Sequence, residues 1–453
     1  MTRRQQLLQH YEAQRNQTES RVSEGIERYR KGTAALRLVD REGNPLPSAR
    51  VKAVLRNHAF LNGCNLFGLD QLGDSEKNAL YREKFKDAFN AAVLPIYWNP
   101  LEPEQGQHRF KKDSPFIYRR PPLELCLDYC EEHHIHPKAH CLNYFQRGHY
   151  PAWCPDSIPE AMALCETRFR ELAERYAHRI PDWDVINETL GSFILPDNPP
   201  IFYMPDSIEW SFELARKYFG NGNGNGNRFF INDDPPTVWG DLRGDRRAYY
   251  LQIDRALSRS CQIDVIGLQS HMIYERYDPR LQDILCNPAL TFSTMDLYAG
   301  FGRPLQISEV SLPAYSPEAE DEEIQAEWLR HQYSIWFSHP AVEGIMYWDL
   351  VDGTAPAGEL GAMDQGWNAH YAGLLRFDMS EKPAFKMMKH LFREEWHTEE
   401  SFVTNEAGCA SFRGFYGTYR LEIECNGRCE ERSVTFTKDT VGEITVCCDT
   451  NSQ

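Results

Sequence analysis

The chain contains no long hydrophobic run. No stretch of its 453 residues approaches a membrane span, and the polar start MTRRQQLLQHYEAQ lacks the apolar core of a secretory leader. As written it reads as cytoplasmic, or as a secreted protein already trimmed. Cations are also in short supply. Against 66 Asp and Glu stand 49 Lys and Arg, a formal net charge of −17. That balance argues against nucleic acids and anionic membranes as partners, because phosphate binding needs clustered positive charge. What is missing among the 13 cysteines is a framework: their number is odd and their spacing irregular. They read as small core hydrophobes in a reducing compartment. Cys425, Cys429, Cys447 and Cys448 do not make a zinc site, since adjacent Cys447 and Cys448 in a strand point to opposite faces.

What is present is enough apolar material for a large core, 42% of residues with 12% aromatic. Residues 3–31 read as one polar amphipathic helix ended by Gly32. Two strand-like runs follow, Thr33–Val39 and Ala49–Ala59, joined as a hairpin through the turn-rich Asp40–Pro45. From about His58 strands and helices alternate. Strand candidates end near Leu66, Trp98, Phe145, Glu188, Asp233, His271, Glu309 and Leu350, and a last helix spans Pro383–Trp396. Eight strand–helix repeats predict an α/β fold, a (β/α)8 TIM barrel over 58–396. A doubly wound sheet would place a phosphate-binding glycine turn after its first strand, and Asn62–Gly68 lacks the GxGxxG spacing. The Asn/Gly tract 221–227 reads as a flexible loop. After Trp396 the pattern becomes short strands. Segments 1–57 and 397–453 are expected to combine, with 33–57 and the tail strands forming a small accessory β-sandwich, since neither has enough strands alone.

In such a barrel the chemistry sits at the C-terminal ends of the strands. Here those ends carry His140 and Asn143, Asn187 and Glu188, Asn232 and Asp233, Gln269 and His271, Glu309, and Trp348 and Asp349. One polar strand end is ordinary solvation; six adjacent ones are a site. The segments Trp183-Asp184-Val185-Ile186-Asn187-Glu188 and Ile307-Ser308-Glu309-Val310 each bring a carboxylate to one pocket, the equipment for breaking a glycosidic bond.

With these segments, FINDD at 230–234, IGLQSHM at 266–272, Pro103 and Gly106, and Lys382–Phe385 after Trp348, the chain resembles glycoside hydrolase family 10. This is the endo-β-1,4-xylanase family, and the likeness runs over roughly 58–393. The resemblance implies a retaining β-glycoside hydrolase with a carbohydrate substrate and no metal or cofactor. Glu188 would be the acid/base, kept protonated near neutrality, and Glu309 the nucleophile, the carboxyls about 5–5.5 Å apart. Asn187 would bond the sugar 2-hydroxyl, and His271 would orient Glu309. Gln269 and His140 would line the pocket, and Trp348 and Trp367 would offer stacking faces. Trp98 and Asn143 are further candidates for sugar contact. The departures matter too. The family's polar grip on the second strand, Glu-Asn-x-Met-Lys-Trp, is here Val93-Leu94-Pro95-Ile96-Tyr97-Trp98. The second histidine after His140 is replaced by Phe145, and the Asp two residues beyond the nucleophile is Ser311. The reactive centre is expected intact and the substrate altered, toward a decorated oligosaccharide or a glycoside with an apolar portion, with Ser311 moving the pH optimum.

Two rivals remain at this level. A decayed barrel could bind carbohydrate without cleaving it. A metal-dependent hydrolase could draw on His133, His134, His136, His140, His271 and Asp349.

Overall fold

The structure, a computed structural model, describes residues 2–190, 198–220, 226–240 and 244–449. Residues 221–225 of the Asn/Gly tract therefore lie outside the described residues. Two strands, β1 (Lys31–Val39) and β2 (Arg50–His58), precede the barrel. The barrel strands are β3 (Leu61–Asn65), β4 (Ala91–Pro95), β5 (His136–His140), β6 (Asp182–Asn187), β7 (Arg228–Asp233), β8 (Val265–His271), β9 (Leu305–Ser311) and β10 (Val342–Tyr347). They close in the order β10-β3-β4-β5-β6-β7-β8-β9, every pair parallel. Helices cover the outside, so both faces of each strand are buried and the strands read as continuous runs rather than alternations. Every residue of β8 and β9 is buried, including Gln269 and Glu309. Closure is tight between β7 and β8: a Cβ on Gly267 would lie 1.6 Å from Asn232 Oδ1.

The covering helices start where the sequence offers start signals. Asp74 caps Ser75–Ala88 by accepting from Lys77 N at 2.9 Å. Pro288 and Pro383 open theirs at the first turn, where a missing N–H costs nothing. No helix among the described residues is long and apolar enough to cross a membrane.

Three readings of the sequence are corrected. The third strand ends at His140, not near Phe145. Beyond it Leu142 N and Asn143 N still donate to Asp184 O and Val185 O, at 2.8 and 3.0 Å, so the chain keeps strand-like pairing outside the regular ladder. The N-terminal helix is two helices, Arg3–Ala13 and Arg15–Tyr29, broken at Gln14. The Gln14 side chain docks on the start of helix Pro288–Ala299, donating to Asn287 Oδ1 at 3.1 Å and accepting from Ala289 N at 3.2 Å.

The third correction concerns the hairpin: β1 and β2 do not pair with each other. The tail supplies β11 (Glu399–Val403), β12 (Cys409–Phe415), β13 (Gly417–Cys425), β14 (Arg428–Phe436) and β15 (Glu443–Cys447). One sheet is β12-β1-β15 and the other β11-β2-β13-β14. Each N-terminal strand is thus flanked on both sides by tail strands. Cys447 is exposed and Cys448 buried, on opposite faces as strand alternation requires.

Candidate active site

The site rests on a charged stack inside the barrel. Lys138 Nζ reaches Asp184 Oδ1 at 2.8 Å and Gln306 Oε1 at 2.7 Å, all three side chains being buried. Burial opposes ionisation of Asp184, but Lys138 and His140 together hold its carboxyl below the ordinary range. An ionised Asp184 only accepts, so His140 donates to it from Nδ1 at 2.8 Å. That bond aims Nε2 of His140 at Glu309 Oε1, 3.9 Å away.

Above this stack opens a cleft of about 410 Å³, lined among others by His140, Asn187, Glu188, Gln269, His271, Glu309, Trp348 and Trp367. Glu188 follows β6 with φ 48°, a left-handed conformation that costs a non-glycine residue about 1–3 kcal/mol. Its Oε2 accepts from Tyr144 Oη, and from Gln146 Nε2 at 3.2 Å. The Gln269 amide joins the two carboxylates. Its Nε2 lies 3.1 Å from Glu188 Oε1 and 3.0 Å from Glu309 Oε1, so those oxygens are at most about 6 Å apart. Trp239 Nε1 donates to Gln269 O at 2.6 Å and fixes the backbone beneath that amide. Among the described residues Asn187 Nδ2 and Gln269 Oε1 are buried without a hydrogen-bond partner.

A relay runs behind Glu309. Ser311 Oγ donates to the Trp348 carbonyl, which leaves its lone pairs to accept Nδ1–H of His271 at 2.9 Å. With Nδ1 protonated, Nε2 of a neutral imidazole is an acceptor, and it faces Glu309 Oε2 at 3.0 Å. The electrostatics agree. Burial pushes His271 down to about 4, against the pull of Glu188. Burial pushes the Glu309 carboxyl up to about 8, with His140 opposing and Glu188 adding. Near neutrality Glu309 therefore holds a proton, which it donates to Nε2 of His271. Depth is the cause, since Glu309 is 4% exposed within β9.

A family model described as glycosyl hydrolase family 10 matches residues 69–391. The chain belongs to this family. It is also 25% identical over 413 residues to the anti-sigma-I factor RsgI6 of Acetivibrio thermocellus, covering 90% of this chain and 47% of that one. To endo-1,4-beta-xylanase 3 of Arabidopsis thaliana it is 22% identical over 345 residues, covering 75% and 39%. The chain thus spans less than half the length of either relative. Among solved structures, xylanase 10B from Thermotoga petrophila RKU-1 in complex with xylobiose superposes with TM-score 0.57 at 19% identity. It covers 74% of this chain and 95% of its own.

Of the family 10 candidates read from the sequence, the cleft gathers eight and leaves out two. Trp98 is core: Nε1 donates to Glu102 at 2.9 Å, and its ring packs against Tyr150 and Trp153. Asn143 turns away toward the helices, donating to Ser211 Oγ at 2.8 Å and accepting from Cys165 Sγ at 3.1 Å. Sequence reasoning missed Tyr144, Gln146, Arg119 and Arg120, which come from long loops, and Lys138 and Asp184, which face inward within strands. The alternation His136-Pro137-Lys138-Ala139-His140 was the available signal for Lys138. The histidines of the metal reading are divided. His133 and His134 stand just before the start of β5 and His140 at its end, about 13 Å further along the strand.

Proposed function

We propose that this family 10 barrel is a retaining β-glycoside hydrolase, xylanase-like, acting on β-linked plant-type polysaccharide, oligosaccharide or glycoside. The observation that carries the reading is the Gln269 amide spanning both carboxylates. Oxygens held within about 6 Å fit the short carboxyl spacing of a retaining enzyme better than the roughly 6.5–9.5 Å of an inverting one. Glu309 attacks the anomeric carbon while Glu188 protonates the leaving oxygen. Water then opens the glycosyl-enzyme ester, with Glu188 now acting as base. Asn187 Nδ2 is available for a hydroxyl beside the anomeric carbon.

Chemistry needs the proton on Glu188, whereas burial raises the proton affinity of Glu309. Moving one proton across the pair leaves its total charge unchanged, so the singly protonated pair is the reactive form wherever the proton rests. The alkaline limb of kcat/KM is then set by loss of that proton, near 8.

The replacement of the family's polar second-strand grip by Val93-Leu94-Pro95-Ile96-Tyr97-Trp98 favours a second reading, carbohydrate binding without turnover. One experiment separates the two. Purified protein is assayed on aryl β-glycosides and xylo-oligosaccharides, alongside Glu309→Ala and Glu188→Ala. The hydrolase reading expects turnover abolished in Glu309→Ala. Glu188→Ala should lose about 10²–10⁴-fold on oligosaccharides and far less on aryl glycosides, whose leaving groups need little protonation. Binding with no turnover anywhere would establish the second reading.

A further inference from the structure

One wall of the cleft carries a positive charge that the catalytic pair does not use. Arg119 and Arg120 arrive on the loop ahead of helix Leu123–Glu132, and both line the cleft. Arg119 is matched: its Nη1 lies 3.0 Å from Asp349 Oδ2, and Asn65 Nδ2 holds the other oxygen at 2.6 Å. Arg120 is not matched. Its guanidinium lies over the rings of Tyr97 at 4.3 Å and Phe67 at 5.2 Å. Its hydrogen bond among the described residues is from Nη1 to the Arg119 carbonyl, 2.9 Å. No carboxylate of the described residues forms an ion pair with it.

Stacking covers the faces of a guanidinium and leaves its edge, where the five N–H donors lie in one plane. One of them is used here. Burial pulls Arg120 down to about 10, with Tyr97 opposing, so the group stays charged at neutral pH. A desolvated, unpaired cation is costly, and a planar fork matches a carboxylate in two parallel bonds. Sugar hydroxyls would leave the charge uncompensated. An acidic sugar brings the missing partner with it.

Resting on the reading of this cleft as a sugar site, we propose that the Tyr97–Phe67 wall is a subsite for a uronosyl residue whose carboxylate Arg120 grips. The substrate class narrows accordingly, to acidic, uronosyl-bearing oligosaccharides rather than neutral chains. The aromatic wall continues through His149, its ring 4.6 Å from that of Tyr97 and 4.5 Å from that of Tyr144.

The test is calorimetric binding to the Glu309→Ala protein, so that turnover plays no part. The probes are a xylo-oligosaccharide bearing a glucuronosyl branch and the same compound with its carboxyl reduced to an alcohol. Two charge-assisted bonds predict about 10- to 100-fold tighter binding of the acid, weakening with added salt. Adding Arg120→Met should erase the difference while leaving the reduced compound's affinity within about threefold. Arg120→Lys, keeping charge without the fork, should retain part of it. Equal affinity for the two compounds, binding of neither, or a preference that survives Arg120→Met overturns the proposal. Because the readout is binding, loss of hydrolysis would count against the catalytic reading alone.

Discussion

A carboxyl that titrates near 8 in the folded chain, against an ordinary value of 4.5, makes stability depend on pH. The folded state binds the Glu309 proton more tightly than the unfolded state does. That contribution is fully present below about 4.5 and is lost as pH rises through about 8. Glu309→Gln keeps the shape and removes the titration. Its denaturation midpoint should match wild type near pH 4.5 and exceed it increasingly up to pH 8, as followed by urea unfolding at several pH values. A gain independent of pH would mean that packing, not ionisation, is responsible. The same residue shows what the sequence could and could not disclose. Glu188, Glu309, Gln269 and His271 were legible because each interrupts an apolar strand at its C-terminal end, where a barrel exposes side chains. That the Glu309 carboxyl is pushed up was not legible, because it depends on depth in the barrel. Arg120 was equally silent, since its partners are Phe67, after β3, and Tyr97, at the far end of its own long connection after β4.

At the scale of elements, the barrel strands were readable because burial on both faces leaves uninterrupted apolar runs. The errors occurred where a segment's partner is remote. Gln14 breaks the first helix only because the start of helix Pro288–Ala299 lies beneath it. Arg30, just beyond the second helix, has a comparable long-range role. It donates to the carbonyls of Phe337, His339 and Val342, the last two at 2.6 Å, at the point where helix Ala319–Ser338 turns into β10. Its guanidinium also packs on Phe60 at 4.8 Å. Arg30→Ala would strand three carbonyls in a partly buried setting and should cost about 2–3 kcal/mol of stability. Chemical denaturation measures it directly. A loss below about 0.5 kcal/mol, the scale of an ordinary surface change, would show that water replaces the guanidinium.

For the whole molecule, the strand pairing argues that the two ends of the chain are one structural unit. We propose that residues 397–453 and the 33–57 segment fold only together. β1 has β12 and β15 as its neighbours, and β2 has β11 and β13. Every strand paired with either N-terminal strand in these sheets therefore comes from the tail. The unit is also seated on the barrel. His58 packs edge-on against Phe337 and Phe392 of the barrel helices and against Phe415 of β12, at 6.2, 5.7 and 5.6 Å. Deleting residues 397–453 would uncover Leu36, Leu38, Val51, Ala53 and Leu55, all at most 4% exposed, on strands with open edges on both sides. Such strands are templates for association between chains. The shortened protein should therefore accumulate as aggregate, with little monomer on size exclusion, although the catalytic strands and every residue lining the cleft are retained. A monomeric truncated chain with wild-type turnover would show instead that the barrel stands alone and that the sandwich serves another purpose.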